Sequence, residues 1–187
     1  YDMYRDAISQ ISLKDKVEQI RSKENYTEFA ELPETYVDAV LSVEDHRFYG
    51  HIGIDPIAIT RAVINDIRAG KAAEVFMAFA LEKEYSKNEI LELYVNTIYF
   101  GNGYYCIKDA SEGYFGKAPE DMDDYESTLL AGVPNAPSKY APTVNPALAA
   151  KRQEQVLERL VECGLFTEKR ARETMAETRE YQEPDAA

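Results

Sequence analysis

No run of apolar residues in this 187-residue chain approaches the length that spans a bilayer, and no signal-peptide pattern opens it at Tyr1. The abrupt start reads as that of an excised domain. Cysteine is scarce: Cys106 and Cys163 stand alone, without metal-ligand neighbours. Both are expected to behave as small hydrophobes, and two such residues do not fix a redox compartment. Positive charge is also in short supply. Lys and Arg number 21 against 34 Asp and Glu, a net charge of −13. That balance excludes a surface built on nucleic-acid phosphates. Much of the acid lies in clusters such as Glu120 to Glu126 and Glu177 to Glu183, expected to be solvated faces away from any site. Alternating strand patterns, internal repeats and low-complexity linkers are missing too. What is present is one domain's length of helical periodicity at an ordinary 45% hydrophobic content.

In chain order, Asp2 to Ser22 carry weakly helical spacing and read as a lead-in with little packing. Pro33 can open a helix. Asp55-Pro56 is a cap-plus-proline start for a helix ending at Gly70. Lys71 to Glu82 is apolar nearly all round, the mark of a helix buried on every side. Ser86 to Glu89 form a capping box that opens a helix through Asn96. The Gly101-Asn102-Gly103 turn leads into a segment from Tyr104 to Lys117, and a short helix follows at about Met122 to Ala131. Asn145-Pro146 starts a helix running to Gly164, and Thr167 caps one more.

The densest stretch is Val43 to Asp55, VEDHRFYGHIGID, which holds both histidines of the chain. Just upstream, Val37, Val40 and Leu41 fall at i, i+3 and i+4, and the same stripe continues through Glu44 and Phe48. A carboxylate thus sits where the pattern asks for a hydrophobe. Burial there would raise its pKa and make it a usable acid or base near neutral pH. The plainer alternative is a surface turn with a Glu44–Arg47 ion pair.

Glu44-Asp45, then Phe48, His51 and Gly53, resemble the first signature of the peptidoglycan glycosyltransferases, glycosyltransferase family 51. These form the transglycosylase domain of penicillin-binding proteins and the monofunctional transglycosylases. Lys71 and Glu74 resemble the family's third motif. Lys87, Ile90, Leu91, Tyr94 and Asn96 resemble its fourth, and Arg152, Val156 and Leu157 its fifth. The resemblance implies a mostly α, lysozyme-like helical domain with a larger globular lobe and a smaller membrane-proximal one. Residues 1–30 would be the lead-in and 31–187 the glycosyltransferase domain.

The implied reaction polymerises lipid II into β-1,4-linked glycan with inversion and release of undecaprenyl pyrophosphate. Glu44 would be the general base. Asp45 would orient, or be a plain helix-end carboxylate. By composition Lys71 and Glu74 are a common i,i+3 salt bridge. By the resemblance Lys71 contacts a donor phosphate, and Glu74 is the second catalytic carboxylate, assisting the leaving group directly or through a divalent cation (Mg or Mn). Spacing alone argues for no metal. Phe48, His51, Lys87, Asn96 and Arg152 would be substrate-binding. Read from their own positions, His51 is more simply a structural histidine, Asn96 a packing and capping residue, and Arg152 a packed stem. Further implied partners are the growing glycan strand, the membrane surface, a transpeptidase domain in the same native chain and moenomycin-type inhibitors. The implied location is the extracytoplasmic face of the cell membrane, with the anchor outside this chain.

One motif is missing. The Gly-Gly-Ser-Thr-Ile-Thr-Gln-Gln segment expected between the first and third is nowhere in the sequence. Local chemistry points to the same place, because a helix ends at Gly70 and a buried one starts at Lys71 with neither loop nor N-cap. A mobile segment omitted from this sequence, or a deletion, is expected between them. Its absence keeps a catalytically silent glycan- or partner-binding domain in view, beside a lysozyme-like glycan-cleaving enzyme.

Overall fold

Side-chain caps open five of the eight described α-helices in the computed structural model, which describes residues 13–44 and 81–177. The helices are α1 (Leu13–Arg21), α2 (Glu34–Glu44), α3 (Lys87–Val95), α4 (Ile107–Phe115), α5 (Asp124–Gly132), α6 (Pro137–Tyr140), α7 (Pro146–Glu162) and α8 (Glu168–Met175). Short 3-10 turns lie at Phe29–Glu31, Pro119–Asp121 and Val133–Asn135. Among the described residues there is no strand.

The Ser86 capping box is formed: its hydroxyl accepts from Glu89 N, and the Glu89 carboxylate accepts from Ser86 N at 2.9 Å. Asp123 and Glu126 make the same reciprocal pair at the start of α5, so that helix begins after Asp123 rather than near Met122. Asn145 caps α7 with Pro146 at its first turn, and Thr167 caps α8. Within the segment from Tyr104 to Lys117, helix α4 starts at Ile107 because Cys106 is its N-cap: the sulfur accepts from Asp109 N at 3.4 Å. Gly116, in the left-handed region at φ 67°, ends it.

Helix α5 is the centre. Every residue from Tyr125 to Gly132 is buried, and it packs against α2 on one side and α7 on another, while α2 and α7 also touch. Leu129, Leu130, Leu157 and Leu160 are essentially solvent-free; each such leucine contributes roughly 1.5–3 kcal/mol. Gln153 ties α7 to α5 by donating to the Tyr125 carbonyl at 2.9 Å and to Thr128 Oγ1 at 3.0 Å.

Two expectations need correction. The lead-in is not loosely packed where it is described: Val17 and Ile20 of α1 join the same core cluster as Leu91, Tyr94 and Leu160. Their i, i+3 spacing is enough to seat one face once α3 is there to receive it. The acidic cluster Glu120 to Glu126 is not all solvated either. Glu126 is 2% exposed and paired with Lys117 at 2.9 Å, and Asp124 is held by Arg170. Of the apolar helix expected over Lys71 to Glu82, only Leu81 onward is described, as helix through Glu84. The helix expected from Asp55-Pro56 to Gly70 lies outside the described residues.

Candidate active site

Glu44 is the last residue of α2. The half-buried carboxylate sits at the helix end whose unpaired carbonyls already disfavour an anion. Burial raises its pKa, and the positive charge of Arg152 opposes that rise without cancelling it. This is the environment anticipated for a carboxylate inserted into an apolar stripe. The stripe itself is rotated slightly: Tyr36, Ala39 and Val40 are fully buried, while Val37 and Leu41 are half-buried flanks.

Two phenols stand in the field of that carboxylate. Tyr36 of α2 is wholly buried, and its hydroxyl has no hydrogen-bond partner among the described residues. Tyr94 of α3 is 4% exposed. Burial, first, and the Glu44 charge, second, push the Tyr94 pKa far above its ordinary value; Tyr36 is raised by burial, then by Tyr94 and Glu44. Two buried phenols therefore lie near enough to Glu44 to feel its charge.

Two arginines of α7, seven residues apart and so on one helical face, bear on the C-terminal end of α2, Arg159 by contact and Arg152 through its charge. Arg159 Nε donates to the Ser42 carbonyl at 3.4 Å, satisfying one of the helix's last orphan acceptors. Arg152 is the cation beside Glu44. Its Nε donates to the Gly132 carbonyl at 3.4 Å, its Nη1 to Gln155 Oε1 at 2.9 Å, and its guanidinium lies 6.0 Å from the Tyr140 ring centre. Arg152 is thus more than a packed stem.

The other expected site residues fare differently. Lys87 donates to Glu82 at 2.6 Å, a cation in the first turn of α3 matched by the helical segment before it. Asn96 is 1% exposed, and its amide is engaged at both ends: Thr27 N donates to Oδ1 at 2.8 Å, and Nδ2 donates to the Thr27 and Glu92 carbonyls at 2.8 Å. So placed, it joins the loop after α1 to the end of α3, which supports the packing-and-capping reading over substrate contact. Asp45, Phe48, His51, Lys71 and Glu74 lie outside the described residues. Cys106 is buried with its thiol pushed up to about 11, chiefly by burial, which suits an inert residue.

Sequence reasoning missed Tyr36, Gly132 and Arg159. A tyrosine eight residues before a helix-end glutamate carries no motif, and Gly132 and Arg159 matter only through contacts between distant segments. The described residues hold no group of three His, Cys, Asp or Glu side chains placed to share a metal ion. Glu74, the carboxylate to which the resemblance attaches a divalent cation, lies outside the described residues, and no step is derived through a metal.

A family model described as Transglycosylase matches the chain in two stretches, residues 13–73 and 68–161, which meet at the Gly70–Lys71 junction. Penicillin-binding protein 1A of Pseudomonas aeruginosa is 34% identical over 169 residues, covering 76% of this chain and 21% of that protein. A protein named as a transglycosylase from Cupriavidus necator is 34% identical over 181 residues, covering 83% of this chain and 78% of the relative. The crystal structure of penicillin-binding protein 1A from Haemophilus influenzae shares the fold, with a TM-score of 0.61 at 22% identity over 86% of this chain and 18% of that one. The chain spans about a fifth to a quarter of the length of the penicillin-binding proteins it matches.

Proposed function

The chain belongs to the transglycosylase family, the peptidoglycan glycosyltransferases, and on that premise we propose that it polymerises lipid II with Glu44 as general base. The observation that carries this reading is the desolvated Glu44 at the end of α2, its pKa raised by burial and its charge faced by Arg152. A carboxylate in that state is poised closer to neutral pH than a free one, which improves proton transfer from a sugar hydroxyl.

In the proposed step Glu44 takes the proton of the acceptor sugar's 4-hydroxyl. That oxygen attacks the anomeric carbon of the growing strand from the face opposite the leaving group. The carbon–oxygen bond to undecaprenyl pyrophosphate breaks, the electron pair leaves with the pyrophosphate, and α configuration becomes β. The positive charge of Arg152 opposes the rise in the Glu44 pKa and so favours the ionised carboxylate that accepts the proton. Asp45, Phe48 and His51 would shape the loop that follows Glu44. Lys71 would meet the donor pyrophosphate, Glu74 would assist its departure and Lys87 would be a substrate-binding residue. These assignments rest on the family's motifs. No helix among the described residues is long and apolar enough to cross a membrane, and the bilayer contact, the extracytoplasmic location, a transpeptidase domain elsewhere in the native protein and moenomycin binding come with the same proposal. So does a lead-in over 1–30 before a domain over 31–187, and a family segment absent between Gly70 and Lys71, where the two matched stretches overlap.

That absent segment favours one other reading, a silent domain that binds glycan without polymerising it. Supplying fluorescent lipid II and resolving the products separates the two. Long glycan is expected; shortening of finished peptidoglycan would point to a hydrolase, and binding without either to the silent domain.

A further inference from the structure

Among the described residues, the most exposed aromatic surface is a neighbouring pair, Tyr99 at 37% and Tyr105 at 62% exposure, with ring centres 4.7 Å apart and planes tilted by 34°. The tyrosines flank a turn in which Gly101, Asn102 and Gly103 all lie in the left-handed region, at φ 85°, 51° and 83°. Such a run is costly for Asn102 and persists only where surroundings fix it. Here they do. Phe100 N donates to the Tyr104 carbonyl at 2.8 Å, Tyr104 N to the Gly101 carbonyl at 2.9 Å, and Gly103 N to the Tyr99 hydroxyl at 3.3 Å. Asn102 Nδ2 donates to Thr143 Oγ1, and Gly101 lies so near the segment after α6 that a β-carbon on it would come 2.9 Å from Ala141 Cβ. Two exposed rings are therefore held in place before any ligand arrives, which lowers the ordering cost of binding.

The groups gathered there, Tyr99, Asn102, Tyr105, Thr143 and the exposed Val144, carry no formal charge, in a chain whose net charge is −13. A phosphate or an anionic lipid finds no cation among them. A neutral sugar finds what it needs: aromatic faces for its axial C–H surface, and amide and hydroxyl groups for its hydroxyl and N-acetyl substituents. The turn also lies on the side of the candidate base: Gly101 sits close to Ala141, the adjacent Tyr140 ring lies 6.0 Å from the Arg152 guanidinium, and the Arg152 charge is felt by Glu44.

We propose that Tyr99 and Tyr105 form a platform for a neutral β-linked N-acetylated sugar strand, a second glycan contact apart from the Glu44 site. The identity of the sugar rests on the polymerising reading above; the platform itself does not need turnover. The test is calorimetric titration of the full chain with the β-1,4-linked tetramer of N-acetylglucosamine. Tyr105→Ala should weaken binding by roughly 3- to 10-fold, the range expected for one lost aromatic contact. Tyr105→Phe should retain affinity within about twofold, since the ring survives. Unchanged affinity in Tyr105→Ala, no binding to the unsubstituted chain, or Tyr105-dependent binding to phosphatidylcholine vesicles in place of the tetramer would overturn the proposal. Tyr105-dependent binding in a protein that makes no polymer would support the platform and count against the polymerising reading alone.

Discussion

Gly132 gives Arg152 the room to lie across α5. A β-carbon at Gly132 would come 2.9 Å from Arg152 Cγ, and the Gly132 carbonyl accepts from Arg152 Nε at 3.4 Å. Gly132 is the last residue of α5. Here the missing side chain lets the cation of α7 approach the carboxylate at the end of α2.

Gly132→Ala should therefore act on Glu44 from a distance. With the Arg152 stem displaced, the charge that restrains the Glu44 pKa is withdrawn, and the acid limb of the pH–rate profile should move to higher pH. Overpacking should also cost about 1–3 kcal/mol of stability. Arg152→Ala should shift the limb the same way without the steric cost. Limbs that coincide with the parent in both variants would remove Arg152 from the site.

Asn96→Ala should destabilise the domain by about 2–4 kcal/mol, because the Thr27 N–H and carbonyl lose their partner inside the protein. Urea unfolding measures this. A loss below about 0.5 kcal/mol would mean that water or a neighbour replaces the amide, and would reopen Asn96 as a substrate contact.

The two most buried tyrosines should part company when their hydroxyls are removed. Tyr114 donates to the Phe100 carbonyl at 2.9 Å, so Tyr114→Phe should cost about 0.5–1.5 kcal/mol. The Tyr36 hydroxyl has no partner among the described residues, so Tyr36→Phe should be neutral or stabilising by up to about 1 kcal/mol. Equal losses in denaturant melts would contradict the hydrogen-bond assignment of both.

The sequence announces local chemistry well. Ser86, Asn145 and Thr167 cap the helices where their side chains suggest, and Glu44 is conspicuous because a carboxylate interrupts an apolar stripe. Cys106 goes unread as a cap, since cysteine is seldom one and its sulfur accepts only weakly. Gly132 and Arg159 are invisible for another reason. Their meaning arises when α7 crosses α5 and α2, and no spacing within a single helix encodes that crossing.

Inserting the family's Gly-Gly-Ser-Thr-Ile-Thr-Gln-Gln segment between Gly70 and Lys71 should raise polymerisation by at least about tenfold, if the segment helps hold substrate in reacting geometry. An unchanged rate would show that the chain needs nothing at this junction.

Glu44 should also trade stability against activity. A carboxyl whose folded pKa lies above its unfolded value binds protons more tightly when folded. Its contribution to stability is present at low pH and is lost as pH rises through the raised folded value. The permanently neutral Glu44→Gln should thus melt at a higher temperature than the parent at pH 8, with the gap closing below the ordinary glutamate value of 4.5. A lower melting temperature at pH 8 would argue that Glu44 is comfortably ionised.

The most direct measurement is the initial rate of fluorescent lipid II polymerisation by Glu44→Gln against the parent, in whichever form of the Gly70–Lys71 junction is faster. The substitution keeps shape and removes the base, so substrate binding should persist while the rate falls by roughly a hundred- to ten-thousandfold. A rate within about tenfold of the parent would contradict Glu44 as the general base.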